Sequence, residues 1–432
     1  MNIKKEFLCS CGKKHTVSID DVIIENNAIL KLPEIIRRYT GGKVFILADK
    51  NTFKAAGQKV TEALKDKNIE YSKFVFESNV TPDEHSVGAA IMHFDTKCEI
   101  VVAIGSGVIN DIGKIIANVT KKPYIIVATA PSMDGYASAT SSMEMSGLKV
   151  SLNSKCANII IGDIDILKNA PLKMLKSGLG DMIAKYISIC EWRIANLLID
   201  EYYCEEVANL VRSALQKCVD NAEKLLERDD EAVKAVFEGL VIGGVAMAYA
   251  GVSRPASGVE HYFSHVWDMR GLEFKTPVDL HGIQCGIGTY LASGIYDQLR
   301  IITPDIEKAR NYVKEFDNEK WNSELRAFIG KGAEAMIALE EKDQKYSISK
   351  HETRIKKIIS EWDNILKIIE EEVPTQEYIG NLLDKIDAPK LPEEINIKDD
   401  ILLSFKATKD IRDKYVLSRL FWDLGIIEDV KI

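Results

Sequence analysis

EIVVAIGSGVINDIGK, residues 99–114, sets an apolar run against two glycines and then an amphipathic stretch. EIVVAIG (99–105) reads as a buried strand, and NDIGKIIANVT (110–120) as the helix that follows it. The alternation repeats on both sides. KVFILAD (43–49) reads as a strand ending in Asp49, and NTFKAAGQKVTEALKDKN (51–68) as a helix capped by Asn51 or Thr52. KFVFE (73–77) is a second strand. TPDEHSVGAAIMHF (81–94) opens with the capping pattern Thr81/Glu84 and continues as a helix, and PYIIVATA (123–130) is a further strand. Strand and helix in strict alternation predict an α/β domain over residues 1–165, a parallel sheet with helices on both faces. Ligands of such sheets bind beyond the carboxyl ends of the strands.

Beyond residue 166 apolar residues recur at spacings of three and four, as in EYYCEEVANLVRSALQKCVDNAEKLL (201–226) and HETRIKKIISEWDNILKIIEEEV (351–373). Residues 166–432 therefore read as an all-α domain. The stripe Ile355, Ile358, Ile359, Trp362, Ile365, Leu366 and Ile369 reads as core, and the charged run Glu340–Lys345 as a solvated face.

A hydrophobic content of 46% and a charged content of 28% are those of an ordinary globular protein. The formal net charge of -9 argues against a broad basic surface, so no nucleic-acid partner is expected. No segment reads as a membrane span and the N-terminus has no signal-peptide pattern, so the expected location is cytoplasmic, with the eight cysteines as reduced thiols. Cys9, Cys11 and His15 form one local cluster. It reads as the start of a β-hairpin more than as a metal site, because C-x-C is narrower than the usual zinc spacing and no fourth ligand stands nearby in sequence.

In the glycine loop, Gly105 and Gly107 let the backbone approach a phosphate, and the next helix offers unpaired N–H groups. Asp111 falls in its first turn. Asn110 stands where a dinucleotide fingerprint has its third glycine, so the match is partial, and a ligand-free turn explains the loop equally well. Asp49, ending its strand, is either a turn residue or an acceptor for ribose hydroxyls, and its charge favours NAD over NADP. The loop ATAPSMDGYASATSSM (128–143) adds Thr129, Ser132, Ser138 and Thr140 as candidate channel residues, with Asp134 as a turn residue or a substrate contact.

SGLGDMIAKY (177–186) reads as a helix start with Asp181 in its first turn. SGVEHYFSHVWDM (257–269) places His261 and His265 one helical turn apart, with Glu260 just before the first. VDLHGIQCGIGTY (278–290) puts His281 at another helix opening. An aspartate and two histidines suit Zn2+, Fe2+ or Ni2+ with positions left for water or substrate.

The order of GSGVIND, APSMDGYAS, GLGDMIAK, RPASGVEHYFSH and LHGIQCGIG resembles the sn-glycerol-1-phosphate dehydrogenase family, of the dehydroquinate synthase-like, iron-containing alcohol dehydrogenase-like group. The likeness spans about residues 40–290 and reappears in IRDKYVLSRLFWDLGI (411–426). CSCGKKH and the stretch from roughly 320 to 375 are less typical of it. The resemblance implies a Rossmann-like domain at 1–165 that binds NAD or NADP, and a helical metal- and substrate-binding domain at 166–432. It implies one divalent metal (Zn2+, Ni2+ or Fe2+) held by Asp181, His261 and His281. Asp134 and His265 are implied as substrate contacts in catalysis. Asp49, Gly105, Ser106, Gly107, Asn110, Asp111, Thr129, Ser132 and Ser138 are read as the cofactor set. Arg254 and Lys149 are candidates for the substrate phosphate, each equally an ordinary surface charge. The implied reaction is reversible reduction of dihydroxyacetone phosphate to sn-glycerol 1-phosphate, in a homo-oligomer such as a dimer. The alternatives are a glycerol or polyol dehydrogenase, a dehydroquinate synthase-like cyclising lyase, from which the aspartate at 181 departs, and a non-catalytic binding or regulatory protein using the same pocket.

Overall fold

A computed structural model of the 432-residue chain describes residue 1, residues 3–77 and residues 80–432. The chain forms two compact units, Met1–Met182 with Asn209–Val252, and Ile183–Ala208 with Ser253–Ile432. These boundaries do not coincide with a single cut at 165/166. The segment 209–252 belongs with the first unit because the helix Asp230–Ala250 is apolar nearly all round and lies on that unit's own elements. There Phe237 fills the space a side chain on Gly162 would need.

Among the described residues the first unit holds ten strands: β1 Glu6–Leu8, β2 Lys14–Thr16, β3 Asp21–Glu25, β4 Lys43–Asp49, β5 Tyr71–Phe76, β6 Cys98–Gly105, β7 Tyr124–Ala128, β8 Thr140–Met145, β9 Leu148–Asn153 and β10 Ile159–Asp163. Six of them form one sheet in the order β3-β10-β7-β6-β4-β5, and every pairing in it is parallel. Strand alternation sorts the core. Val44, Ile46, Ala48, Ile100, Val102 and Ile104 share one face with Ile35, Ile36, Val60 and Leu64 from the covering helices. The opposite face is buried too, as Phe45, Leu47, Val101 and Ala103 show. β4 has β5 on one side and β6 on the other, so the strand order reverses between Asp49 and Gly105. That is where a crevice opens at the carboxyl edge of such a sheet.

Several local expectations are corrected. Asp49 caps its own helix and forms a capping box with Thr52, displacing Asn51 and Thr52 as caps. Asp83, not Thr81, caps Glu84–Met92. β3 and β10 were not anticipated, and residues 140–143 belong to the antiparallel β8–β9 hairpin, not to a loop. The helix Asp230–Ala250 is long and apolar enough for a membrane span by length and composition, contrary to the sequence reading; 72% of its apolar window is buried inside the protein, as for a core helix.

Among the described residues every regular element after β10 is helical. In the second unit the isoleucine stripe is core as expected, though Glu361 divides it into Ile348–Ser360 and Trp362–Glu372. Glu340 and Lys345 are not on a solvated face: both are buried, the carboxylate accepting from the Tyr346 N–H and the ammonium donating to the Lys409 and Arg412 carbonyls.

Candidate functional site

In the first unit the glycine loop joins β6 to the helix Gly107–Thr120, whose N-cap is Ser106. The Ser106 cap makes no side-chain bond to its own helix; its hydroxyl meets Ser132 Oγ at 2.6 Å and receives a bond from the Tyr136 hydroxyl at 3.2 Å. The Thr129 N–H donates to the Gly105 carbonyl at 3.1 Å. The glycine loop and the hydroxyl-rich loop are therefore held side by side at one edge of the sheet. Asn110 and Asp111, read from sequence as cofactor contacts, lie behind that edge. Asn110 donates to the Gly135 carbonyl at 3.1 Å and accepts from the Tyr124 hydroxyl at 3.0 Å. Asp111 pairs with Lys114 at 2.9 Å and accepts from the Ser142 N–H at 3.3 Å. Burial raises the Asp111 carboxyl above its ordinary range against the pull of Lys114. Lys114, which the sequence reading passed over, is fully buried and also donates to the Gly135 and Thr140 carbonyls at 3.2 and 2.5 Å. Its place one helical turn after Asn110 was the available clue. The Ser138 hydroxyl turns to Thr140 Oγ1 at 2.9 Å. Asp49 Oδ1 accepts the Asn51 and Thr52 N–H groups at 2.7 and 3.0 Å, which makes it a cap at the mouth of the crevice.

Asp181 lies near the C-terminal end of the helix Leu172–Ile183, not in a first turn. Gly178 allows this placement: a Cβ there would collide with the Pro131 carbonyl, so the helix runs directly against the hydroxyl-rich loop. Ser177 reinforces the contact by donating to the Ser132 carbonyl at 2.8 Å. Asp181 is fully buried, and its Oδ2 accepts the Asp134 N–H at 2.9 Å. Two aspartates read from sequence stretches 47 residues apart thus meet at one corner.

In the second unit the helix Val259–Phe274 carries His261 and His265, and His281 opens the helix His281–Leu299. The His261 and His281 rings stand 5.1 Å apart, edge to face, and the His265 ring lies 6.1 Å from that of His281. His261 Nδ1 meets Glu260 Oε1 at 2.8 Å. A carboxylate accepts, so Nδ1 carries a proton and donates it to Glu260. His281 Nδ1 meets Ser264 Oγ at 3.1 Å, and Gln284 donates to the same hydroxyl at 2.9 Å. Each imidazole is oriented through Nδ1, as metal-ligating histidines commonly are, and His281 Nε2 lies 3.6 Å from Cys285 Sγ. Ligand atoms of His261, His281 and Cys285 lie within 4.8 Å of one another. Cys285 was missed in sequence, although it follows His281 by one helical turn. Glu260 also accepts the Gly258 N–H at 2.7 Å, while its Oε2 is buried without a hydrogen-bond partner. Burial and the nearby Glu260 charge push the Glu191 carboxyl up.

Arg254 is not available in the way a phosphate anchor requires. It is fully buried, forks onto Glu201 at 2.7 and 2.5 Å, and donates to the Tyr415 carbonyl at 2.9 Å. That pairing is structural. Lys149 stands opposite Glu144 on the β8–β9 hairpin, close enough to Asp111 for its charge to oppose the burial that raises that carboxyl.

The model of the family described as iron-containing alcohol dehydrogenase matches residues 23–171. The glycerol-1-phosphate dehydrogenase [NAD(P)+] of Halalkalibacterium halodurans is 31% identical over 336 residues, covering 77% of this chain and 82% of that one. The protein of the same name from Pyrococcus furiosus is 33% identical over 277 residues, 64% of this chain and 78% of its own. Among solved structures, the glycerol dehydrogenase of Schizosaccharomyces pombe superposes with a TM-score of 0.59 at 15% identity, over 95% of this chain and 89% of that one, a likeness of fold.

Proposed function

The chain belongs to the glycerol-1-phosphate dehydrogenase family, and from that premise we propose that it is a metal-dependent oxidoreductase reducing dihydroxyacetone phosphate to sn-glycerol 1-phosphate with NADH or NADPH, reversibly. The observation that supports the reading is the pair of imidazoles at 261 and 281, their rings 5.1 Å apart and each bonded at Nδ1, to Glu260 and to Ser264.

By the family resemblance, His261 and His281 would supply two ligands and Asp181 a third. Nitrogen and carboxylate donors fit Zn2+, Ni2+ and Fe2+ alike. When bound, the cation polarises a carbonyl and the nicotinamide supplies a hydride. The chain's own residues orient and protect. The Asp134 N–H holds Asp181 in place, and the Asp134 carboxylate is the group that would accept from a substrate hydroxyl. His265, half-buried beside His281, hydrogen-bonds the substrate and moves a proton to its oxygen. Gly105, Ser106 and Gly107 bring the N-terminus of their helix to the cofactor pyrophosphate. Thr129, Ser132 and Ser138 line the same edge, and Asp49 meets the ribose. Asn110 and Asp111 serve the cofactor by fixing the loop at 135–142. Lys149 remains the candidate for the substrate phosphate; the small-molecule substrate is the partner, in a homo-oligomer such as a dimer that works in the cytoplasm.

The commitment of Arg254 to Glu201 favours one second reading, a glycerol or polyol dehydrogenase with no phosphate anchor. A steady-state assay of NADH and NADPH oxidation separates the two. Turnover with dihydroxyacetone phosphate, lost to a chelator and yielding the sn-1 product, is the expected result. Faster turnover with dihydroxyacetone itself would transfer the assignment to the second reading, and no net oxidation with either would defeat both.

A further inference from the structure

The hairpin β1–β2 brings together three donors that the proposed reaction does not use. Cys9 and Cys11 lie in its turn, not on a strand, and His15 lies on β2. The sequence reading set a metal aside here for want of ligands and spacing. We propose that Cys9, Cys11 and His15 bind a structural zinc ion, distinct from the metal proposed at His261 and His281.

Ligand atoms of the three residues lie within 4.8 Å of one another. Cys11 Sγ is 3.4 Å from His15 Nε2. Zinc bonds of about 2.3 Å to sulfur and about 2.0 Å to nitrogen, at a tetrahedral angle, set that edge at roughly 3.5 Å. The imidazole is already oriented. His15 Nδ1 lies 2.7 Å from the Tyr249 carbonyl oxygen, which can only accept, so Nδ1 carries a proton and Nε2 is the nitrogen turned to the sulfur. The turn supports a thiolate. The Cys11 N–H donates to Cys9 Sγ at 3.5 Å, while the Cys9 N–H donates to the Lys13 carbonyl and the Gly12 N–H to the Cys9 carbonyl, both at 3.0 Å. Gly12 takes φ +84°, which closes the turn at no side-chain cost. Cys9 and His15 are buried and Cys11 is half-buried, so an ion can enter from one side.

The hairpin's strands have three residues each and pack on the helix Asp230–Ala250, Phe7 standing edge-on to Tyr249 at 5.2 Å, so a metal would add a cross-link to an element already seated. Two thiolates and an imidazole select zinc over magnesium or calcium. The fourth position belongs to water or to a further thiol of the chain.

The test uses the full-length chain carrying His261→Ala, stripped of metal and reloaded with Zn2+ alone. We expect about one zinc per chain, sulfur ligands in its X-ray absorption spectrum, and zinc-dependent protection of Cys9 and Cys11 from alkylation, mapped by mass spectrometry. Mapping separates this site from any zinc held at Cys285. Adding Cys11→Ser should abolish the protection of Cys9, with the circular dichroism spectrum unchanged. Alkylation of Cys9 and Cys11 at the same rate with and without zinc would overturn the proposal and leave the proposed reaction untouched. If Cys11→Ser does not fold, the protection map of the His261→Ala chain decides by itself.

Discussion

The backbone carbonyl of Glu260 occupies the space that a Cβ on Gly288 would need. Two helices approach backbone to backbone at that point, and the approach sets the 5.1 Å separation of the His261 and His281 rings. Gly288→Ala must push the helices apart, since the obstruction is backbone and not a flexible side-chain end. We expect a stability loss of about 1–3 kcal/mol and weaker metal retention with the overall fold intact, read by denaturant melts and by metal analysis.

His261 and His265 share a helix but are assigned different work. His261→Ala should remove the bound metal and nearly all turnover. His265→Ala should keep the metal and reduce turnover by about 10²- to 10⁴-fold, the usual worth of a general acid–base group. Full metal content in both variants would refute the division.

Glu260 orients His261 through Nδ1. Glu260→Gln keeps the shape and weakens the acceptor, so metal affinity should fall by about 10–100-fold. Competition with a chelator of known strength measures it; unchanged affinity would show that the Glu260 bond does not serve the metal.

Lys114 ties three groups together: Asp111, the Gly135 carbonyl and the Thr140 carbonyl. Lys114→Met removes the ion-pair partner of Asp111, at a cost of about 3–5 kcal/mol. Because the loop it releases lies beside the glycine turn, KM for NADH or NADPH should rise more than kcat falls.

Asp423 is buried in the second unit between Arg354, which forks onto it at 2.8 Å twice, and Arg419. Burial pushes its carboxyl up, but the two guanidiniums push harder and hold it below the ordinary 3.8. A carboxyl lowered in the folded state stabilises fully above its unfolded value, and that contribution disappears as the pH falls through the folded value. Stability of the wild type should therefore drop as the pH is lowered past about 4. Asp423→Asn should lose about 3–5 kcal/mol near neutrality and show a shallower acid limb, checked by denaturant melts across pH.

Much of the site was legible because its signals are local. KVFILAD and EIVVAIG matched β4 and β6 to within a residue, since an uninterrupted apolar run bounded by Asp49 or by Gly105 has few other solutions in a buried parallel sheet. His281 was placed correctly at a helix start. Asp181 was misplaced because GLG suggests a break, whereas Gly178 serves a helix-to-loop contact that only the Pro131 backbone explains. Arg254 was misread for a similar reason: its partner Glu201 lies 53 residues away.

The sequence by itself determined the alternation of strands and helices, the glycine turn and the donor types, because spacing and residue chemistry are properties of neighbouring positions. Only the tertiary structure decided which groups are occupied and which are poised. Asp111 is claimed by Lys114, Arg254 by Glu201, His261 Nδ1 by Glu260 and His15 Nδ1 by the Tyr249 carbonyl. A buried polar group must find a partner wherever the fold supplies one, and for Arg254 and His15 that partner lies 53 and 234 residues away along the chain.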